Sequence, residues 1–374
     1  MVGRTFWRRI SNGIAIQQLW SQLDSEARAS YRLYSAEVDW TLLPHERRTR
    51  RVQRVASALF WAMVMKLSPA RRVVLVIALL MACWPGLDFR FGDGSHLQIP
   101  NLAFFGEVML FILLALELAD RVTMKRDLEI AKEIQTWLMP AVPPQLTGVE
   151  MAFATRPANT VAGDYYDAFL RSNPPDSGSA CAPLLMIVAD VAGKSVPAAL
   201  LMATLQASVR TLAAMCTTPL ELVERLNSYC CEQNIGGKRF TTAFLAELNP
   251  LTRQLTYVNA GHNWPALRRT SGAIERLETG GLPLGLMRNA RYECAQVSLA
   301  PGDLLVIFTD GLIEAENDKE EEFGELRMLT ILNSRSDRKA SEVLSELMSS
   351  ADQFVGTAPQ HDDITCLVMR LVPD

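Results

Sequence analysis

From Gly148 to the end of the chain the sequence breaks into short apolar or β-branched runs, and that pattern restricts the fold more than any other feature. The runs are Val149–Arg156, Leu184–Asp190, Thr241–Leu248, Gln254–Ala260, Tyr292–Leu299, Leu304–Thr309 and Ile364–Leu371. Turns as short as Asn249–Pro250 and Ser271–Gly272 join some neighbours, which suits antiparallel hairpins. Three longer helical patterns interrupt them, at Val196–Met215, Pro219–Asn234 and Lys339–Phe354. Thr217 and Thr218 are placed to cap the second of these ahead of Pro219. Hairpin strands with long helices predict an α+β fold and argue against a repeated βαβ wind.

Acidic turns lie where these runs end. Four of them are Val161–Asp167 (VAGDYYD), Ile187–Ser195 (IVADVAGKS), Ile307–Glu314 (IFTDGLIE) and Gln360–Thr365 (QHDDIT). In two of the four, a continuous apolar strand ends in Asp and reaches Gly within three residues. Such a strand is buried, and a carboxylate at its mouth is costly unless something offsets its charge. Several carboxylates brought together repel, and some stay protonated at neutral pH. A pair of divalent cations removes that penalty, and hard ions such as Mg²⁺ and Mn²⁺ prefer carboxylate, carbonyl and water oxygens. Any one Asp–Gly turn is more often structural than functional, so the weight rests on the set. A two-metal carboxylate site without Cys or His ligands suits hydrolysis of a phosphate ester, with the ions acidifying a water and holding the phosphoryl oxygens. No GxSxG elbow and no protein-kinase signature set is present. VAGKS is not a phosphate loop, because Val188 stands where the leading Gly would be.

The front of the chain reads differently. Residues 1–72 hold 13 Lys or Arg against 5 Asp or Glu, although the whole chain is −4. A basic front and an acidic back suggest two environments for one chain, and the overall balance argues against a nucleic-acid coat protein. Seven cysteines without a CxxC pair read as reduced thiols, and four His without HExxH exclude that zinc chemistry. No cleavable signal peptide is expected, since no apolar run of signal length follows the first arginines. Val73–Leu87 is apolar but would reach only about 22 Å as a helix, short of the roughly 30 Å hydrocarbon core. Leu102–Leu118 is a second apolar run, with Glu107 and Glu117 near its ends. Arg71 and Arg72 precede the first run, and Arg121, Lys125 and Arg126 follow the second. Those basic flanks predict a membrane hairpin with both termini cytoplasmic; the competing reading is two buried helices of a soluble sensor domain. Residues 1–54 have a helical spacing, Val55–Leu67 reads as an interfacial or packing helix, and Arg47–Arg54 is either a lipid-headgroup patch or a solvated basic stretch. Over residues 121–139 apolar positions recur at helical spacing up to Pro140. That helix would either join two protomers as a short coiled coil, giving a homodimer, or pack on its own catalytic domain.

The ordered runs AKEIQTWLMP, PANTVAGDYYD, VADVAGKSVPAALLMA, VNAGHNWPAL, GLPLGL, LVIFTDGLIEA and HDDIT resemble the SpoIIE-type branch of the PPM (protein phosphatase 2C-like) superfamily, over about residues 128–374. The resemblance implies an α-β-β-α sandwich of two antiparallel sheets flanked by helices. It implies a metal-dependent serine/threonine phosphoprotein phosphatase using two Mn²⁺ or Mg²⁺ ions. The phosphorylated signalling protein it would act on is an anti-sigma-factor antagonist. Carried over by position, Asp164, Asp190 and Asp310 are the catalytic aspartates. The metal ligands would be Asp164, Asp190 as the bridging one, the carbonyl of Val191, Asp310 and Asp362. Asp363 ranks lower, because relatives outside this branch have Asn there. Asp167 would be a group behind the ligands or for a third ion, and Gly163, Gly193 and Gly311 close-approach glycines. Two departures stand out. Ser195 occupies a place usually held by Gly, and Ala192 stands where eukaryotic relatives have a general-acid His. His262 is expected to order a turn.

The expected organisation is a basic helical region 1–72, a transmembrane hairpin 73–118, a helical linker 119–143 and a phosphatase domain 144–374. The protein would sit in a bacterial cytoplasmic membrane with the catalytic domain in the cytoplasm and no nucleic-acid partner. The rival readings are a catalytically silent partner-docking module and a receiver-like domain; the hairpins disfavour the latter, which needs a parallel βαβ wind.

Overall fold

The computed structural model describes residues 64–84, 86–90, 96–171, 182–233, 239–334 and 338–372, together with Ser57 and Trp61. The expectations for residues 1–54, for the Arg47–Arg54 patch and for most of Val55–Leu67 lie outside the described residues. The chain divides into two compact units, Met1–Thr123 and Met124–Asp374. The division falls inside the expected linker.

In the first unit, helix α1 (Pro69–Ala82) starts on a proline whose fixed φ suits a first turn. The chain then forms an antiparallel ribbon, β1 (Leu87–Arg90) with β2 (His96–Ile99). The expected first membrane arm therefore stops at Ala82, and Leu87 belongs to a strand. Fourteen helical residues reach about 21 Å. Helix α2 (Ala103–Leu138) follows, its first N–H capped by the Asn101 side chain at 2.8 Å. Gly106 is where α2 meets α1: a Cβ there would lie 2.3 Å from the Ala82 nitrogen, so only glycine permits this approach. Arg71 ties the pair at the other end, 3.1 Å from Glu117 and 2.6 Å from Asp120. Large apolar side chains such as Leu80, Phe104, Phe111 and Leu114 stay exposed. Among the described residues, the one helix long and apolar enough to cross a membrane is Ser195–Ala213. That helix belongs to the second unit and buries Ala198, Met202, Leu205, Val209 and Ala213.

The second unit is built from two sheets. One carries β4 (Tyr165–Leu170), β5 (Leu184–Val191), β6 (Thr241–Asn249), β7 (Gln254–Ala260) and the short β10 (Gly280–Gly281) in the order 10-7-6-5-4, with β11 (Ala295–Ser298) also on β7. The other is ordered β3 (Val149–Arg156), β13 (Ile364–Leu371), β12 (Leu304–Phe308), β8 (Ala266–Arg268), β9 (Ile274–Arg276). Among the described residues the strands of the two sheets pair antiparallel, except for the two-residue β10–β7 contact; one isolated bridge, Ala243 with Gly261, is also parallel. That topology overturns the receiver-like reading.

Helices α3 (Ser195–Ala213) and α4 (Pro219–Gln233) cover the first sheet, and α6 (Glu325–Asn333) and α7 (Ala340–Val355) cover the second; α5 (Asp310–Ile313) is one turn. Strand alternation explains why β5 reads as an unbroken apolar run. Leu185, Ile187, Ala189 and Val191 face the α3/α4 layer, while Leu184, Met186 and Val188 enter the layer between the sheets. In β12, Leu305 and Ile307 point between the sheets, and Leu304, Val306 and Phe308 point at α6/α7. Each such fully buried side chain contributes about 1.5–3 kcal/mol of burial, so both strands are rigid supports for whatever stands at their ends.

Candidate active site

Four chain segments deliver acidic groups to one edge of the sandwich. Strand β5 ends in Asp190 and Val191 before the chain turns into α3. Asp164 directly precedes β4, and Asp310 opens α5 just after β12. Asp362 and Asp363 lead into β13, which pairs with β12 along its length. The Thr309 N–H donates to the Thr365 carbonyl at 3.0 Å, holding the last two segments side by side. At Gly311 a Cβ would stand 2.1 Å from the Asp363 carbonyl oxygen, so this crossing accepts no other residue. Gly163 is a milder close approach, its Cβ position being 3.2 Å from the Val191 carbonyl oxygen. Gly193 is not a close-approach glycine: nothing lies near its Cβ position, and its φ of 121° is the reason for the residue.

The carboxylates push against one another. Asp164 is fully buried, and burial, then the charge of Asp190 and of Asp363, drives its pKa well up. Its Oδ2 accepts the Thr309 hydroxyl at 2.9 Å. Asp190 is pushed up to about 7 by burial, then by Asp310, Asp362 and Asp363. Burial and then Asp362 raise Asp310. The cation facing this group is Lys194, whose Nζ is 3.0 Å from Asp362 Oδ2 and donates to the His361 carbonyl at 2.6 Å. A cavity of about 490 Å³ opens beside it, lined in part by Arg156, Lys194, Glu314, His361 and Asp362.

Two acidic residues are committed to the protein itself. Asp363 accepts the Ala158 N–H at 2.7 Å and the Gly163 N–H at 2.6 Å, so both its oxygens anchor the turn before Asp164. Each oxygen keeps lone pairs beyond these bonds, and the lower rank given to Asp363 among the expected ligands stands. Asp167 takes a two-pronged contact from Arg210, 2.7 Å at each oxygen, plus the Tyr165 hydroxyl at 2.9 Å. Its charge is already answered by Arg210 within the fold. His262 donates its main-chain N–H to Asn259 Oδ1 at 2.7 Å and sets its Nδ1 3.0 Å from the Thr242 hydroxyl. Burial pushes the imidazole down to about 4, so it orders the turn as a neutral ring.

Among the described residues, no three carboxylate, imidazole or thiolate groups converge closely enough to grip an ion as they stand. The donor set still fits hard divalent cations. Asp164, Asp190, Asp310 and Asp362 supply oxygens, burial and like charges raise the pKa of the first three while Lys194 pairs with Asp362, and the Val191 carbonyl oxygen lies against the Gly163 turn. Lys194 and Thr309 are the site residues the sequence reading passed over. Lys194 lies in a motif whose reading centres on Asp190, Gly193 and Ser195, and Thr309 is visible only once β12 and β13 are paired.

Comparison with known proteins bears on the same region. A sequence profile described as Stage II sporulation protein E (SpoIIE) matches residues 182–372. The chain is 30% identical over 249 residues to the phosphoserine phosphatase RsbU of Bacillus subtilis, covering 66% of this chain and 70% of RsbU. It is 27% identical over 284 residues to protein IcfG of Synechocystis, covering 69% of this chain but 43% of IcfG. Among solved structures, the SiaA-PP2C domain of Pseudomonas aeruginosa superposes with a TM-score of 0.58 at 21% identity, over 67% of this chain and 98% of that domain. This last likeness establishes the two-sheet fold with its flanking helices.

Proposed function

Since the chain belongs to the SpoIIE family of PPM-type serine/threonine phosphatases, we propose that it removes phosphate from phosphoserine or phosphothreonine on a signalling protein of the anti-sigma-factor-antagonist kind. The observation that carries this reading is the gathering of Asp164, Asp190, Asp310 and Asp362 at a single sandwich edge, where Lys194 pairs with Asp362, and burial and like charges raise the pKa of Asp164, Asp190 and Asp310. A silent docking module gains nothing from such a cluster, which costs stability in the absence of a cation.

In this reading Asp164, Asp190, Asp310, Asp362 and the Val191 carbonyl hold a pair of Mn²⁺ or Mg²⁺ ions. Such ions, when bound, polarise the phosphoryl group and make an attacking water more acidic. The rest of the work belongs to the chain. Thr309 fixes the rotamer of Asp164 through its hydroxyl. Asp363 fastens the backbone ahead of Asp164. Lys194 stands at the cavity mouth, where its ammonium group orients the incoming phosphate dianion and balances Asp362. Ala192 offers no proton to the leaving serine oxygen, so that proton comes from solvent. The exposed apolar side chains of α1 and the first half of α2 attach the protein to the cytoplasmic membrane in this proposal, which fractionation of cells expressing the full chain tests.

The decisive assay is phosphate release from p-nitrophenyl phosphate and from a phosphoserine protein by the full-length chain. Release should depend on Mn²⁺ or Mg²⁺ and fall at least about 100-fold in Asp190→Ala, since even groups behind metal ligands cost 10–100-fold. Full activity in excess chelator, or in Asp190→Ala, would reject the reading.

A further inference from the structure

The segment 157–164 leads to Asp164, yet it belongs to no strand or helix. Side chains hold it. From one side Asp363 accepts the amides of Ala158 and Gly163. From the other comes Gln135, in the last turn of α2 and 27 residues earlier in the chain. Its Nε2 donates to the Ala162 carbonyl at 2.7 Å, and its Oε1 accepts the Ala162 N–H at 2.9 Å. The carboxamide thus pairs with a peptide unit as a neighbouring strand would. Both partners are buried, Gln135 at 7% exposure and Ala162 at 1%. Neighbouring positions on this helix, Thr136 and Trp137, are exposed.

We infer that Gln135 is a positioning residue for the active site: it sets the backbone two residues before Asp164 and thereby the affinity of the site for its cations. The inference rests on the proposed metal-dependent reading and names a determinant outside the profile-matched residues 182–372. Chemistry restricts the position. A glutamate keeps the acceptor but loses the donor and buries a charge. An asparagine is one methylene short. An apolar residue leaves a buried N–H and C=O without partners, which folded proteins rarely tolerate. Asp363 alone leaves the stretch hinged, because its bonds fall on the amides of Ala158, Gly163 and Asp164 and leave the Ala162 carbonyl unheld.

The test uses the full-length chain with Gln135→Met, which preserves side-chain length and helix propensity and removes both bonds. Gln135→Ala is the second variant and Thr136→Ala the control. Hydrogen exchange at the Ala162 and Gly163 amides should accelerate about tenfold while β5 amides stay protected. The Mn²⁺ dissociation constant by calorimetry should rise about 10- to 100-fold, with most of kcat restored at saturating Mn²⁺. The control should match the wild type in all three. Unchanged exchange at 158–163 in both Gln135 variants overturns the inference, as does faster exchange with an unchanged Mn²⁺ dissociation constant. A wild-type chain that binds no Mn²⁺ overturns the proposed function instead. In that case exchange still decides whether Gln135 holds the turn.

Discussion

Asp164 and Asp167 lie three residues apart, are equally buried, and have opposite electrostatic settings. Behind the strand edge, Asp167 receives the full fork of Arg210 and the Tyr165 hydroxyl. Its charge is balanced within the fold. At the edge, Asp164 has side-chain hydrogen bonds from Thr309 and Thr365, and the charges it faces are those of Asp190 and Asp363. A buried carboxylate with its own guanidinium is architecture. One whose nearest charges share its sign stores repulsion that an external cation can relieve. Burial and residue type do not separate the two. The partner does.

The largest effects should come from exchanging the two cases. Asp167→Asn strips Arg210 of its partner and leaves an uncompensated guanidinium against Phe169, over whose ring it sits at 4.0 Å. Breaking a buried pair costs about 3–5 kcal/mol. Since Arg210 is 42% exposed, about 3 kcal/mol of unfolding free energy is the expected loss, with Mn²⁺ binding retained. Asp164→Asn should do the reverse. The metal-free protein keeps or gains stability in urea unfolding, while Mn²⁺-dependent turnover falls at least about 100-fold. If Asp164→Asn proves as destabilising as Asp167→Asn, the contrast collapses.

The same contrast marks what could be read from residues alone. Strands such as Val149–Arg156, Gln254–Ala260 and Ile364–Leu371 have the bounds their composition indicates. Gln254–Ala260 and Ile364–Leu371 are largely buried on both faces, while Val149–Arg156 is half-buried along its length and is bounded by its β-rich composition and its pairing with β13. β4 escaped because its first residues, Tyr165 to Asp167, look like part of an acidic turn, and α6 because nine residues give too few periods. Asp164, Asp190, Asp310 and Asp362 were legible as strand-end acids. Which acids are already satisfied was not. Arg210 is 43 residues from Asp167, and Gln135 is 27 from Ala162. No local rule pairs them.

His262 supplies a third buried ionisable group, one with neither a counter-charge nor a like neighbour. Held neutral with its pKa pushed down to about 4, it binds fewer protons folded than unfolded. The sign follows from linkage: its contribution is complete above pH ~6.5, the unfolded value, and drains away as pH falls toward the folded value near 4. Across that window the loss is at most about 3 kcal/mol. Urea unfolding of the wild type and of His262→Asn, compared at pH 7 and pH 4.5 in chelator, isolates it, because every other titrating group is common to both. A difference that does not change with pH would mean that the imidazole finds a charge partner and belongs with Asp167.

The smallest effect tests whether the loop that presents Asp190 carries its own strain. Two residues of that loop leave ordinary backbone space, Gly193 at φ 121° and Ser195 at φ 64°. Glycine accepts such angles freely, whereas a residue with a Cβ in the left-handed region pays about 1–2 kcal/mol. Ser195 is exposed, so packing does not compensate it. Ser195→Gly should therefore raise unfolding free energy, but only by about 0.5–1 kcal/mol, since glycine also adds entropy to the unfolded chain and opens α3 with a weak helix former. The backbone angle is already one glycine adopts, so Lys194 and Asp362 keep their contact and kcat should not change. Gly193→Ala is the mirror experiment. Nothing crowds its Cβ position, so any loss of stability there reads the backbone angle alone. A gain at 195 together with a loss at 193 locates the strain in the dihedral angles of the turn. A loss at both positions would locate it instead in contacts made by the Ser195 side chain.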